Sequence, residues 1–85
     1  MSDMKKCWVY ALKSKKDGHL YIGLSYNAWE RLKNHNAGEV KSTKSRRPFK
    51  IIYLKQFDDR KTARQHEKKL KTGSGREFLK SLSGK

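Results

Sequence analysis

Two short, largely apolar segments lie near the start of the chain, residues 7–12 and residues 20–24, and a polar sequence separates them. Short apolar runs that contain aromatic and β-branched residues and are bounded by turn residues are typical of β-strands. The polar sequence between the segments contains Asp17-Gly18, a pair that favours a tight turn. The pattern therefore predicts an antiparallel β-hairpin.

This hairpin would bring two tyrosines together. Antiparallel pairing across the turn places Tyr10 opposite Gly23 and Leu12 opposite Tyr21. Because side chains alternate between the faces of a sheet, both phenols then lie on one face. The glycine leaves open space beside a tyrosine.

The segment after the hairpin has the period of an amphipathic helix. Asn27 is a favourable N-cap, Glu30 follows as its capping-box partner, and Gly38 ends the helix near Asn36. Apolar residues recur on one side of this predicted helix, namely Ala28, Trp29 and Leu32.

A third strand is predicted for residues 49–57, after a polar loop that ends at Pro48. The apolar run 51–54 within it does not alternate strictly. Such a run is typical of a strand buried on both faces, so we expect this strand to lie well inside the sheet.

The remaining chain predicts two further helices. Asp58 or Asp59 can cap one over about residues 60–72, and a Gly-Ser-Gly break separates it from a short helix at about residues 76–82. The order β-β-α-β-α-α predicts an α+β fold in which a small three-stranded antiparallel sheet is flanked by helices.

The length of the chain and its net charge limit the number of domains and the class of binding partner. The 85 residues support one domain, 1–85, with its core at about residues 7–80. There are 22 Lys and Arg against 8 Asp and Glu, which gives a formal net charge of +14. Such an excess repels itself unless a polyanion binds, so nucleic acid is the expected partner, although a basic surface can also serve solubility alone.

Cysteine content and hydropathy point to a compartment. Cys7 is the single cysteine, so neither a disulfide framework nor a thiolate zinc site is available, and the three histidines are scattered. No signal peptide or membrane-spanning segment is evident in the sequence. We therefore expect a cytoplasmic protein, possible nucleoid association included, with no membrane partner.

Glu67 places a carboxylate on the side of the second predicted helix that Ala63 and Leu70 share. A lone buried carboxylate costs several kcal/mol, so such a group is usually ion-paired, metal-bound or protonated. An ion pair with Arg31 or Lys71 would satisfy it as well as a metal, and an exposed position at the border of the apolar side would need neither. The helical period does not decide between these alternatives.

Arg31 and His35 stand four residues apart on the first predicted helix and project from one side of it. Arginine carries a permanent charge that suits phosphate, and histidine exchanges protons near neutral pH. This combination favours phosphodiester chemistry, although a solvated basic helix has the same pattern.

The spacing of these residues resembles that of the GIY-YIG nuclease family. Trp8-Val9-Tyr10 is followed, after ten residues, by Tyr21-Ile22-Gly23, in which Gly23 is the motif glycine. The resemblance covers about residues 7–80, and the chain is similar in particular to the small stand-alone bacterial members of the family. It continues through Arg31, His35, Asn36-Ala37-Gly38, Ser45-Arg46-Arg47-Pro48-Phe49, Glu67 and residues 75–80.

The resemblance implies hydrolysis of DNA phosphodiester bonds with one divalent cation, Mg²⁺ or in its place Mn²⁺. By position, Glu67 would bind the metal, Arg31 would neutralise charge on the phosphoryl oxygens, and His35 would orient a tyrosine or relay a proton. Tyr10 or Tyr21 would assist deprotonation of the attacking water. Tyr10 is preferred, and a neighbouring cation could lower a phenol pKa from about 10.

Two departures from the family pattern bear on activity. The first motif has Trp8-Val9 in place of Gly-Ile, which keeps the phenol and the alternation. A second polar residue, often Asn, follows the metal-binding Glu in some family nucleases and has no evident counterpart here. Thr72, Ser74 or Arg76 could substitute at the phosphate, although Ser74 as a helix cap after a stop at Gly73 is the favoured interpretation.

Four cations in the loop before the third strand would hold backbone phosphates of DNA without reading sequence. The four cations are Lys41, Lys44, Arg46 and Arg47. Binding to RNA is not excluded, and targeting could depend on an unidentified partner.

We expect a monomer, and a monomer with one site should nick one strand. The alternative function is a nucleic-acid-binding module with a weak or silent nuclease site.

Overall fold

Three antiparallel strands in the order β2-β1-β3 form the centre of the computed structural model, which describes residues 6–83, the side chain of residue 83 excepted. The predicted α+β fold and the order β-β-α-β-α-α are confirmed. The elements are β1 (Cys7–Ser14), β2 (Leu20–Ser25), α1 (Ala28–Asn36), β3 (Phe49–Phe57), α2 (Arg60–Leu70) and α3 (Gly73–Ser83), with a 3₁₀ turn at Lys44–Arg46.

The helices cover the two faces of the sheet unequally. On one face Tyr10, Leu12 and Phe49 pack with Ala28 of α1. The other face is covered by α2 and α3, and its buried residues are Cys7, Val9, Ala11, Ile22, Ala63, Leu70 and Leu79. Because β2 is an edge strand, α1 and α2 flank the same edge of the sheet from opposite faces.

The predicted hairpin register is confirmed. Tyr10 pairs with Gly23 and Leu12 pairs with Tyr21, so both phenols lie on the α1 face. The turn is closed by Ser14, whose Oγ accepts hydrogen bonds from the amides of Lys16 and Asp17. These bonds satisfy backbone groups that the strand ladder leaves free.

The prediction that β3 lies inside the sheet is wrong, because β3 is the edge strand opposite β2. The irregular apolar run arises from a register shift, since Ala11 pairs with Tyr53 while Leu12 pairs with Ile51. The extra residue, Ile52, therefore joins Tyr53 on the α2 face. A β-bulge thus produces the continuous apolar run that central burial was expected to explain.

The capping of α1 agrees with the prediction, but its apolar side does not. The Asn27 side chain accepts a hydrogen bond from the Glu30 amide at 3.1 Å. Trp29, however, is 62% exposed. At about 100° per residue, the side of α1 that faces the sheet is the line of Ala28, Leu32 and His35, and Trp29 falls away from it.

The boundary between α2 and α3 also differs from the prediction. Asp59 caps α2 by accepting a hydrogen bond from the Thr62 amide at 2.7 Å. The expected Gly-Ser-Gly break is wrong, since α3 already begins at Gly73. Thr72 caps α3 in place of Ser74, because its hydroxyl accepts a hydrogen bond from the Gly75 amide at 3.2 Å.

Candidate active site

A cleft of about 400 Å³ opens at the β2 edge of the sheet. Arg31 reaches it from α1 on one face, and Glu67 reaches it from α2 on the other. Tyr10 and Tyr21 line the cleft between them. Of the five residues predicted to carry the chemistry, four therefore share one cavity, and His35 lies apart.

Gly23 permits the close packing of Tyr10 in this cleft. A Cβ atom at position 23 would lie 2.5 Å from Tyr10 Oη and 2.6 Å from Tyr10 Cζ. The predicted open space beside a tyrosine is thus filled by the paired phenol itself. A side chain at this position would displace Tyr10, because side chains do not tolerate contacts this short.

Arg31 holds the two phenols together. The ring centroids of Tyr10 and Tyr21 are 6.4 Å apart. The Arg31 guanidinium donates hydrogen bonds to both hydroxyl groups, and the bond to Tyr10 is the main reason that the pKa of Arg31 is raised. The arginine is therefore a fixed positive charge between the phenols.

The sequence analysis suggested that a neighbouring cation could lower a phenol pKa, but the pKa of Tyr10 is raised. Only 1% of the residue is exposed. Burial raises the pKa of Tyr10 above 10.0, and this outweighs the lowering effect of the Arg31 hydrogen bond. In the substrate-free protein, Tyr10 is therefore a protonated phenol at neutral pH.

His35 is fully buried behind Tyr21 and does not line the cleft. Its ring centroid is 4.6 Å from that of Tyr21, and its Nδ1 is 2.7 Å from Thr43 Oγ1. Nε2 has no hydrogen-bond partner among the described atoms. His35 thus contacts Tyr21 through ring packing, which fits orientation of the tyrosine better than proton relay.

The environment of His35 keeps its imidazole neutral. Burial lowers its pKa from 6.5, and the positive charge of Arg31 lowers it further. Both effects disfavour the imidazolium form at neutral pH.

Glu67 is at the cleft and is also ion-paired. Its side chain is 12% exposed, with Oε2 3.4 Å from Lys71 Nζ and Oε1 3.8 Å from Arg64 Nε. One alternative considered from the sequence, an ion pair with Lys71, is therefore present. The carboxylate nevertheless lines the same cavity as Arg31, so it is available to a ligand that draws the lysine away.

The cationic wall formed by α2 was missed by the sequence analysis. Arg60, Arg64, Lys68 and Lys71 all line the cleft. Their spacing along α2 places them on one side of the helix, which the sequence could have revealed. The apolar positions of α2 single out Glu67 and not its cations, so the sequence predicts phosphate contacts in the loop before β3 alone.

The predicted phosphate-binding loop lies next to the hairpin turn. Lys41, Lys44 and Arg47 are exposed. Arg46 is partly buried, and its Nε is 3.2 Å from Asp17 Oδ2, at ion-pair distance but without hydrogen-bond geometry. Arg46 therefore helps to fix the loop to the turn, whereas the other three cations face solvent.

The three possible substitutes for the second polar residue do not reach the cleft. Thr72, Ser74 and Arg76 are not among its lining residues. Thr72 caps α3, and Arg76 Nε donates a hydrogen bond to the Lys71 carbonyl at 3.3 Å.

The donor set of the cleft can be compared with the needs of a metal. Within residues 6–83, no group of three or more His, Cys, Asp or Glu side chains could hold a metal ion. Mg²⁺ is commonly held by one or two carboxylates together with waters and substrate phosphate oxygens. Glu67 fits that arrangement when a phosphate is bound beside it.

The fold and this cleft define a class. A hairpin that carries two tyrosines, followed by a helix with an arginine and a later helix with a glutamate, is the arrangement of the GIY-YIG nuclease-type catalytic domain. The GIY-YIG catalytic domain matches residues 6–80, and the chain belongs to this family. The substrates of this class are nucleic acids.

Within the family, the chain is similar to proteins named UPF0213. It is 38% identical over 81 residues to the UPF0213 protein of Staphylococcus saprophyticus, covering 94% of this chain and 98% of the relative. The UPF0213 protein of Staphylococcus haemolyticus is 39% identical over 80 residues, covering 93% of this chain and 96% of the relative. The solution NMR structure of a UPF0213 protein from Bacillus halodurans has a TM-score of 0.55 and 32% identity, covering 93% of this chain and 86% of that chain.

Hydropathy adds one finding. Among the helices of residues 6–83, none combines the length and apolar character needed to cross a membrane.

Proposed function

We propose that the protein is a metal-dependent endonuclease that hydrolyses DNA phosphodiester bonds in the cleft. The observation that carries the proposal is the convergence of Arg31 and Glu67, from opposite faces of the sheet, beside Tyr10 and Tyr21. A phosphate in this cleft would meet a fixed positive charge, a carboxylate and two phenols together.

The cations of the cleft bind and polarise the scissile phosphate. Arg31 is held in place by both phenols, so its charge is in position before substrate arrives. Preorganised charge of this kind stabilises the negative charge that develops on phosphoryl oxygens in the transition state. The α2 cations, such as Arg60 and Lys68, bind the same strand on the other side of the cleft.

Glu67 would hold the divalent cation together with water and phosphate oxygens. When bound, Mg²⁺ or Mn²⁺ supplies Lewis-acid polarisation and favours ionisation of a bound water. An incoming phosphate competes for the Lys71 and Arg64 side chains and thereby frees the carboxylate. Metal affinity should therefore be low without DNA and higher with it.

One of the two phenols accepts the proton of the attacking water, and it can do so only in its deprotonated, phenolate form. Both hydroxyl groups interact with Arg31, which keeps the two phenols side by side in the cleft. Neutral His35 holds the Tyr21 ring from behind without competing for its hydroxyl. Phenylalanine variants of the two tyrosines decide which phenol accepts the proton.

Flanking phosphates are bound by the loop cations Lys41, Lys44 and Arg47. Contacts of this type release counterions, so affinity is strongly salt-dependent. If six to ten phosphates are contacted, we expect affinity to fall by about 10³- to 10⁵-fold between about 50 and 200 mM salt.

A second candidate function is a nucleic-acid-binding module whose site is silent. The ion pairs of Glu67 with Lys71 and Arg64 favour it, because they occupy the carboxylate. The raised pKa of Tyr10 favours it as well, since a protonated phenol is a poor base. Both candidates predict salt-sensitive binding, and only the first predicts hydrolysis.

Nicking of supercoiled plasmid in Mg²⁺ separates the two functions. We expect the wild-type protein to nick one strand, and Glu67→Ala to abolish nicking while it still binds DNA. Glu77→Ala is the matched control, because Glu77 is an exposed carboxylate on α3 outside the cleft. Binding without any nicking by the wild type, in Mg²⁺ and in Mn²⁺, would establish the silent module.

A further inference from the structure

A second cavity lies between the hairpin and the loop that precedes β3. It measures about 220 Å³ and opens to solvent beside Ser42, an exposed residue. Its walls include the aliphatic side chain of Leu20 and the aromatic rings of Tyr21 and Phe49. Polar groups at its border come from Ser42 and Arg46, among others. We refer to this cavity as the side pocket.

The walls of the side pocket are held by buried contacts. His35, which is fully buried, lies 4.6 Å from the Tyr21 ring and 5.9 Å from the Phe49 ring, measured between centroids. Its Nδ1 also contacts the hydroxyl of Thr43, a third wall residue. One imidazole therefore fixes three walls, so the shape of the pocket is set before any ligand binds.

The side pocket adjoins the cleft. Tyr21 lines both cavities, so a phosphate bound beside Tyr21 in the cleft lies next to the side pocket. The surrounding loop carries the exposed cations Lys41, Lys44 and Arg47. A ligand that enters the pocket from a strand lying in the cleft thus remains in a positively charged environment.

We propose that the side pocket binds an unpaired nucleobase of the strand that is cut, next to the scissile phosphate. This inference rests on the proposed nuclease function and names its substrate class. A flat, largely apolar ring with polar edges matches aromatic walls bordered by hydroxyl and guanidinium groups. The charge of the surroundings matches the phosphates that flank such a base.

The substrate preference follows from the cost of exposing a base. A base in continuous duplex must leave its stack before it can enter the pocket, whereas a bulged, flapped or single-stranded base need not. Stacking of a base on aromatic side chains is worth enough to give about a tenfold to hundredfold preference. The enzyme should therefore favour DNA with unpaired nucleotides over continuous duplex.

Binding without divalent cations tests the base site independently of hydrolysis. Two DNA duplexes are compared in EDTA by fluorescence anisotropy, one fully paired and one with a single bulged 2-aminopurine. We expect the wild type to bind the bulged duplex about tenfold to a hundredfold more tightly, and the 2-aminopurine fluorescence to change as the base enters the pocket.

Ser42→Trp is expected to fill the pocket from its solvent side, and Ser42→Ala is the matched control. Because Ser42 is exposed, the fold should tolerate both changes, and circular dichroism checks this. Ser42→Trp should abolish the preference for the bulge and leave affinity for paired duplex unchanged. Ser42→Ala leaves the aromatic walls accessible and removes one polar group at the border, so it should keep most of the preference.

The results separate the two proposals. Equal affinity of the wild type for bulged and paired DNA, or a bulge preference that survives in Ser42→Trp, overturns the base site even if plasmid is nicked. A bulge preference that is lost only in Ser42→Trp supports the base site even if no nicking occurs, in which case the hydrolytic function alone is overturned.

Discussion

Each outer edge of the sheet carries a tyrosine packed against a histidine, yet within residues 6–83 only the tyrosine of the β2 edge lines a cleft together with a cation and a carboxylate. At the β3 edge, the side chains of Tyr53 and His66 form a hydrogen bond with each other, with Tyr53 Oη 2.8 Å from His66 Nε2. Their rings are nearly parallel, at 25° and 5.9 Å between centroids. The hydroxyl is thereby committed within the protein.

At the β2 edge, the same two residue types are used differently. Tyr21 and His35 are tilted by 58° with centroids 4.6 Å apart, and the imidazole bonds to Thr43. The Tyr21 hydroxyl is therefore not bound by the histidine and interacts with Arg31 at the cleft. A tyrosine–histidine pair therefore becomes a candidate site only where the hydroxyl faces a cation and a carboxylate across open space.

The largest expected effect is on the phenols. Tyr10→Phe and Tyr21→Phe should each slow DNA cleavage, and loss of the group that accepts the water proton should cost about 10²- to 10⁴-fold. Tyr53→Phe is the matched control, because it removes a phenol at the other edge. Initial rates on a fluorescent oligonucleotide measure this, and a Tyr53→Phe defect as large as the others would contradict the comparison.

The pH dependence of the same rates assigns the proton. A base is active when deprotonated, and burial raises the pKa of Tyr10 above 10.0, so a rate that depends on Tyr10 should rise with pH from neutrality towards that value. The tyrosine whose replacement by phenylalanine removes this rise is the base. A wild-type rate that stays level from about pH 7 to 9 would exclude Tyr10 from this role.

Arg31→Ala should have the next largest effect. Removal of a preorganised charge from a developing oxyanion typically costs about 10²- to 10³-fold in rate. Lys33→Ala is the control, because it removes an exposed cation from the same helix outside the cleft. Comparable rates for the two variants would show that α1 contributes only general positive charge.

A pair of glycines tests how the cleft is packed. Gly23→Ala places a methyl group 2.5 Å from Tyr10 Oη and should destabilise the protein by about 1–3 kcal/mol and slow cleavage by moving that phenol. Gly73→Ala meets nothing within 4 Å and should leave both properties nearly unchanged. Urea denaturation and initial rates measure the two effects, and a Gly23→Ala protein of wild-type stability and rate would contradict the close packing.

Features set by neighbouring residues were predictable from the sequence. The hairpin register follows from turn length and alternation, and the Asn27 cap follows from a side chain and an amide three residues apart. The position of β3 was not predictable in this way, because β1 and β3 are far apart in sequence and the bulge at Ile52 depends on their pairing. Long-range pairing leaves little trace in local pattern.

The sequence predicted which residues form the candidate site better than it predicted their chemical state. Tyr10, Tyr21, Arg31 and Glu67 share the cleft, as the family resemblance implied. The net pKa of Tyr10 was not predicted, because Arg31 lowers it as a neighbouring cation was expected to do, but burial raises it more. The extent of that burial depends on how the ring packs against Gly23 and under α1, which residue spacing does not specify. For the same reason the sequence did not place His35 behind Tyr21, away from the cleft.

The smallest expected effect separates the two histidines by the pH dependence of stability. Burial is the main cause that lowers the pKa of His35 and of His66 from 6.5, so the unfolded chain binds protons more readily and the free energy of unfolding should fall as pH falls below about 6.5. His35 is fully buried and His66 only partly, so His35→Gln should remove more of this slope than His66→Gln. Urea titrations from about pH 5 to 8 measure it, and a larger loss of slope in His66→Gln would mean that the β3 edge, not the cleft edge, holds its imidazole more strongly in the neutral form.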